Sequence, residues 1–186
     1  MSEDQIKITR RMTRRLSLRI GRDGEIRVSA PLFVSRSQIM KFVEANAEWI
    51  TKARERARQN EEKRNGFYDK LPLKTKQEKM AAASRLDEII SPLYEKYARE
   101  MGIAADMQLV YSATKSKWGS CYPKRGKIQF SLYLLLLPEW CIESVVVHEL
   151  CHVFEMNHGP RFYALMDRFF PRWKAACATI KKVMNR

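Results

Sequence analysis

All three histidines of this chain lie within one short stretch, VVVHELCHVFEMNH at residues 145–158. On a helix, His148 and His152 would project from the same face one turn apart, so both imidazoles can bind one metal ion. Glu149 would lie about 100° around that helix from His148, where it can contact a water bound to the ion but is poorly placed to bind the ion itself. This pattern predicts His148 and His152 as metal ligands and Glu149 as the catalytic general base.

His158 is the expected third ligand. On a continuous helix it would lie roughly 240° around the axis from His152 and could not reach the ion. The sequence Asn-His-Gly-Pro at 157–160 favours a turn, because asparagine and glycine tolerate left-handed geometry and proline cannot extend a preceding helix. We therefore expect a helix over 138–156, followed by a turn that returns His158 to the metal.

Zinc is the metal that best fits this pattern, at one ion per chain. A zinc ion with three protein ligands and one open position lowers the pKa of a bound water towards ~7. Imidazole ligands also suit nickel, cobalt and iron, so another divalent transition metal stays open. A cysteine hydrolase is excluded, because a nucleophilic Cys121 would need a histidine base and all histidines are assigned to the metal.

The elements around the histidines predict an α+β fold in two parts. Residues 16–30 alternate apolar and polar positions around a GRDG turn, which indicates a β-hairpin. Helical spacing follows over 35–65, and a break at 65–76 indicates a linker. The first domain is thus an N-terminal β-rich lobe with a long helix, residues 1–74.

The second predicted domain, residues 75–186, contains the histidine cluster. A helix over 77–101 precedes two strands, which flank a basic connection, KSKWGSCYPKRG, at 115–126. Prolines at 138, 160 and 171 then open three helices, since proline is favoured in the first helical turn. We expect a peptide substrate to lie along the strand at 127–134, just before the helix with the histidines.

The chain carries a net charge of +14, and two segments contain cations without any acid: 7–22 and 115–127. Such segments can attract nucleic acid, phosphate-bearing ligands or acidic proteins. The first residues lack a secretory signal pattern, and the longest apolar run, LYLLLL, is too short to span a bilayer. The four cysteines form no CxxC pair. We expect a cytoplasmic protein with reduced thiols and no membrane partner.

The segment KWGSCYPKRGKIQF, the helix VVVHELCH and the following NHGPRFY together resemble the YgjP-like metallopeptidase domain, a zincin family related to the SprT-like proteases. The N-terminal segment RLSLRIGRDGEIRVSAP and the helix FVEANAEWI are similar to the start of that family. The resemblance implies a zincin-like metallopeptidase lobe, with the HExxH helix packed on a small β-sheet, beside an N-terminal β-hairpin and helix lobe. It places the metal ligands at His148, His152 and His158 and the catalytic acid/base at Glu149.

Two catalytic functions and one binding function follow as alternatives. The first is a zinc metallopeptidase that acts on a peptide or protein substrate. The second is a metal-dependent nucleotide phosphohydrolase, because the five cations of 115–127 precede the site and a zinc hydroxide can also attack phosphorus. The third is a basic nucleic-acid-associated module in which zinc is structural. Glu149 favours catalysis, since a structural zinc site has no use for a carboxylate beside the ion.

Overall fold

The computed structural model of the chain describes residues 6–21, 23–103 and 106–184. It divides into two compact units, Met1–Asn65 and Gly66–Arg186. Each unit has its own hydrophobic core. The chain combines helices with two three-stranded sheets, which confirms the α+β class that the sequence predicts. The predicted domain bounds, 1–74 and 75–186, stay a prediction.

The first unit contains a sheet of β1 (Ile6–Arg11), β2 (Ser17–Ile20) and β3 (Ile26–Pro31), in the order β1-β3-β2. Strands β2 and β3 form the antiparallel hairpin expected from the alternating sequence, although Arg22 of its turn lies outside the described residues. Strand β1 pairs in parallel with β3 and was not predicted. Its partner lies about twenty residues away, so the pairing has no local sequence signal.

Two helices replace the single one expected after the hairpin: α1 (Arg36–Ala45) and α2 (Ala47–Asp69). The break falls at Asn46, whose side-chain amide donates to the carbonyl of Phe42. Because α2 remains helical through Asp69, the predicted linker is shorter than 65–76. The core of this unit contains apolar residues of β3, α1 and α2: Ile26, Val28, Ala30, Ile39, Val43 and Ile50.

The second unit contains the last residues of α2, from Gly66 onward, and then α3 (Lys76–Met101), which starts at a capping box formed by Thr75 and Glu78. Its sheet contains β4 (Gln108–Ser112), β5 (Gly119–Tyr122) and β6 (Lys127–Ser131), in the order β4-β6-β5. The basic connection of the sequence analysis therefore contains a strand, β5, that was missed. Strand β6 pairs with β4 on one side and with β5 on the other, so neither of its edges is free. The expectation that a peptide lies along this strand is therefore wrong.

Three helices complete the second unit: α4 (Glu139–Cys151), α5 (Pro160–Phe169) and α6 (Trp173–Met184). Helix α4 is buried over most of its length, which explains its run of apolar residues. It ends at Cys151, five residues earlier than predicted. The amides of Val153 and Phe154 bond to carbonyls three residues back, and this tightening ends the α-helix before the Asn-His-Gly-Pro turn.

Among the helices of the described residues, none combines the length and the apolar character needed to cross a membrane.

Candidate metal centre and adjoining cavity

The three histidines meet at one point of the second unit. His148 lies in the last turn of α4, His152 caps its C-terminus, and His158 follows in the loop before α5. The Nε2 atom of His158 lies 3.1 Å from Nε2 of His148 and 3.1 Å from Nε2 of His152. Imidazole nitrogens bound at 2.0–2.1 Å around a tetrahedral zinc ion lie about 3.3 Å apart, so the observed spacing fits such an ion.

The hydrogen bond of His152 fixes which of its nitrogens carries the proton. Its Nδ1 lies 3.0 Å from the backbone carbonyl of Glu155, and a carbonyl can only accept, so Nδ1 carries the hydrogen. In the neutral ring, Nε2 then presents a lone pair towards the other histidines. Glu155 thus orients His152 through its backbone, the kind of contact that outer partners of metal-bound histidines make, while its carboxylate pairs with Arg161.

Hydrogen bonds among the histidines cannot account for their arrangement. The Nε2 atom of His158 can carry one proton, which satisfies one of its two 3.1 Å contacts and leaves the other contact without a hydrogen bond. Burial lowers the pKa of His148 to about 4, with the neighbouring histidines adding to the effect, and burial also lowers the pKa of His152. Three neutral imidazoles whose Nε2 atoms face one another are an arrangement that suits a divalent cation bound between them.

Glu149 lies beside this cluster with only 4% of its surface exposed. Burial raises the pKa of its carboxyl to about 8, whereas the charge of Lys117 and a hydrogen bond from the backbone N–H of Cys121 act in the opposite direction. Its Oε2 atom is buried and has no hydrogen-bond partner among the described residues. A buried polar atom of this kind normally has a partner, and Glu149 lines a cavity, so Oε2 is available to a molecule that enters there.

Gly119 of β5 makes room for this carboxylate. A Cβ atom at that position would lie 2.5 Å from Oε1 of Glu149 and 2.6 Å from its Cγ. The absence of a side chain there, together with the N–H of Cys121, holds Glu149 between α4 and β5. The Trp-Gly-Ser-Cys segment alone does not predict this role of Gly119, because Glu149 lies thirty residues later in the chain.

Phe162 is the other residue of the site that the sequence analysis missed. Its ring centroid lies 4.9, 4.7 and 4.6 Å from those of His148, His152 and His158, and the side chain is fully buried. The ring of Phe162 thus packs against all three imidazoles and restricts their orientation. A single phenylalanine in an amphipathic helix carries no sequence signal of such a role, because core positions have the same pattern.

A cavity of about 330 Å³ opens beside the histidines and Glu149. Its walls are mostly apolar and aromatic, and its rim includes Tyr163 stacked on Trp173, with ring centroids 5.0 Å apart. Its lining includes Lys117, Trp118, Val145, Tyr163, Trp173 and Cys177. Trp118, which precedes Gly119, is part of this lining.

Four of the five cations of the basic segment 115–127 do not line this cavity. Lys115 lies over the rings of Tyr68 and Tyr133, and Lys127 lies over the ring of Tyr122. Lys117 is the one cation of the segment among the described residues that line the cavity, and its Nζ also bonds to the hydroxyl of Tyr122 at 3.1 Å. The segment therefore supplies one positive charge to the site rather than five.

Comparison with known proteins identifies a family that the chain matches. The chain matches the YgjP-like, metallopeptidase domain family over residues 14–80 and 68–183. Among solved structures it is similar to the metallopeptidase zymogen abylysin of Pyrococcus abyssi, with 22% identity, a TM-score of 0.48, and coverage of 52% of this chain and 96% of that chain. The metallopeptidase zymogen jannalysin of Methanocaldococcus jannaschii gives 18% identity, a TM-score of 0.46, and 50% and 94% coverage. No curated protein matches the chain.

Proposed function

The chain belongs to the YgjP-like metallopeptidase domain family, and from that premise we propose that it is a zinc-dependent peptidase whose general base is Glu149. The observation that carries the proposal is the convergence of three imidazole Nε2 atoms beside a buried carboxylate oxygen without a partner. Three nitrogen ligands with a neighbouring carboxylate are the donor set of a catalytic zinc site, which keeps its fourth position open.

Each residue of the site has one task in this proposal. When bound, zinc would supply a Lewis acid that polarises the scissile carbonyl and makes a water more acidic. Oε2 of Glu149 accepts a proton from the attacking water and returns it to the leaving amine. The N–H of Cys121 and the space at Gly119 hold that carboxylate in place, and the carbonyl of Glu155 keeps His152 in its ligating tautomer.

The substrate would lie along β5 rather than β6. Strand β5 is the edge of its sheet on the side of Glu149, and an extended peptide can add to such an edge through backbone hydrogen bonds. The N–H of Cys121 is already bonded to Glu149. Gly119, two residues earlier, presents its backbone in the same direction and is the group that we assign to substrate.

The cavity supports a peptide over a nucleotide as the substrate. Its mainly apolar lining suits an aliphatic or aromatic side chain next to the scissile bond, whereas a triphosphate would need several cations. Lys117 alone among the described lining residues carries a positive charge. The phosphohydrolase alternative therefore lacks the charge that the sequence segment 115–127 suggested for it.

The test compares wild type with Glu149→Gln and His158→Ala in metal content and in activity. We expect about one zinc per chain in wild type and in Glu149→Gln, and weakened zinc binding in His158→Ala. Hydrolysis of a fluorogenic peptide library should fall by about 10²–10⁴-fold in Glu149→Gln, the range for loss of a general base. Wild type that takes up no metal on titration, or a fully active Glu149→Gln, would refute the proposal. A parallel panel of nucleoside triphosphates tests the alternative.

A further inference from the structure

The sheet of the first unit has one face against its core and one face outward. Ile8, Leu18 and Val28 belong to the hydrophobic cluster shared with α1, so the alternate residues of each strand point away from it. Strand register places these outward residues in rows across β1, β3 and β2. Lys7, Arg27 and Arg19 form one row, and Thr9, Ser29 and Ser17 form the next.

The row of three cations is unfavourable for the sheet itself, because like charges directly opposite one another destabilise strand pairing. One acid offsets it: Glu25, next to β3, forms an ion pair with Arg27. Lys7 and Arg19 have no ion-pair partner among residues 6–21, 23–103 and 106–184, and Glu3 and Asp4 lie outside that description. A sheet that only supported the fold would gain from alternating charges in this row.

The outward face also forms a shallow groove of about 510 Å³. Four cations line it, namely Lys7, Arg11, Arg19 and Arg27, together with four hydroxyl-bearing side chains and Val28. The described lining contains no acid, no aromatic ring and no amide side chain. We call the four cations with Thr9, Ser17 and Ser29 the basic sheet face.

We propose that the basic sheet face binds the phosphate backbone of double-stranded nucleic acid, without reading its sequence. Arginine, lysine, serine and threonine are the side chains that contact phosphate oxygens, and here they alternate in rows across one surface. Sequence readout needs side chains that reach base edges, and proteins that bind single strands stack bases on aromatic rings. The described lining has no aromatic ring, which favours a duplex over a single strand, and no amide or acidic side chain of the kind that reads adenine or cytosine, which favours contacts to the backbone.

Two other occupants fit the surface less well. A peripheral membrane surface inserts apolar side chains beside its cations, and Val28 is the single apolar residue in the groove lining and is itself buried. The core of a protein interface is enriched in aromatic residues and methionine, which the described lining lacks. Both occupants are outcomes of the experiment below.

The test measures binding of the full chain to a fluorescently labelled 20-base-pair duplex of arbitrary sequence over a range of KCl concentrations. Each neutralised phosphate contributes about −0.9 to the slope of log K against log salt. Four cations predict a slope of about −3.6, and the double variant Lys7→Gln/Arg19→Gln should reduce its magnitude by about 1.8. The matched control, Lys41→Gln/Arg56→Gln, removes the same charge from exposed positions on α1 and α2 and should leave the slope unchanged.

Equal effects of both double variants would overturn the proposal, because they would show a response to net charge alone. Absence of duplex binding at low salt would also overturn it, as would stronger binding to a single strand or to vesicles containing anionic phospholipid. Thermal unfolding separates lost binding from lost structure. Since the row of like charges opposes strand pairing, Lys7→Gln/Arg19→Gln should unfold at the same temperature as wild type or higher.

Discussion

At the scale of single residues, the site depends on a close approach between β5 and α4. Glu149 follows directly after a proposed ligand, and its carboxylate is held by the backbone of β5 rather than by another side chain. The sequence predicted that a carboxylate would lie beside the metal, because HExxH fixes that spacing on a helix. It could not predict what holds the carboxylate, because β5 lies about thirty residues earlier in the chain.

Gly119→Ala tests this approach. The added Cβ would lie 2.5 Å from Oε1 of Glu149, so the carboxylate must shift. We expect peptidase activity to fall by about 10²-fold, as for a catalytic group displaced by about 1 Å, while zinc content stays at the wild-type level. The matched control is Gly66→Ala in α2, where a Cβ meets nothing within 4 Å. It should retain activity and gain about 0.5–1 kcal/mol of stability, and equal losses in both variants would contradict the assignment.

The cysteines give a second prediction at this scale. Burial raises the pKa of Cys121 to about 11 and that of Cys151 to about 12, and it also raises the pKa of Cys141. A thiol with a pKa of about 11 is roughly one part in a thousand thiolate at pH 8. Cys177 is exposed. Ellman's reagent at pH 8 should therefore react quickly with one thiol in the native protein and with four in denaturant; rapid reaction of two or more native thiols would contradict this assignment.

At the scale of elements, the parts of the fold with local signals were predicted and the parts that depend on distant pairing were not. The hairpin of β2 and β3 and the start of α4 have clear periodicity, turn residues or a proline. Strands β1 and β5 are defined by pairing with β3 and β6, and β5 contains only four residues. The approach of His158 to α4 followed from the turn residues at 157–160, although the helix ends earlier than expected.

The start of α3 gives a prediction for an element. The Thr75 hydroxyl accepts from the backbone N–H of Glu78, and the Glu78 carboxylate accepts from the N–H of Thr75 in return. Thr75→Ala leaves that N–H of Glu78 without its acceptor and should lower the free energy of unfolding by about 1 kcal/mol in a urea titration. Thr75→Ser keeps the hydroxyl and should restore most of the loss. Equal destabilisation by alanine and serine would show that the methyl group, and not the cap, is responsible.

At the scale of the whole molecule, each unit has its own core, and the candidate metal centre lies entirely within Gly66–Arg186. The sequence indicated two lobes through the break in periodicity at 65–76. It placed the boundary in the linker because Gly66 and Pro72 mark a break, whereas α2 continues through the first of these. Helix propensity of the neighbouring residues outweighs the cost of one glycine.

This division predicts two thermal transitions that respond to different changes. Zinc at 100 times its dissociation constant stabilises the state that binds it by about 2.7 kcal/mol, so EDTA should lower only the transition of the second unit. Ser35→Ala removes the hydroxyl that caps α1 and should lower only the other transition, by about 1 kcal/mol. Differential scanning calorimetry of the zinc-loaded protein measures both. A single transition that responds to both changes would show that the units unfold together.

Cys177 lies on α6, is exposed, and lines the same cavity as Glu149 and His158. An inhibitor that carries a zinc-chelating group at one end and a mild electrophile at the other could therefore bind the metal reversibly and bond to the thiol permanently. Chelating inhibitors of metallopeptidases tend to act on many enzymes, because the metal is what those enzymes share. Cys177 in the cavity wall offers a second point of attachment besides the metal.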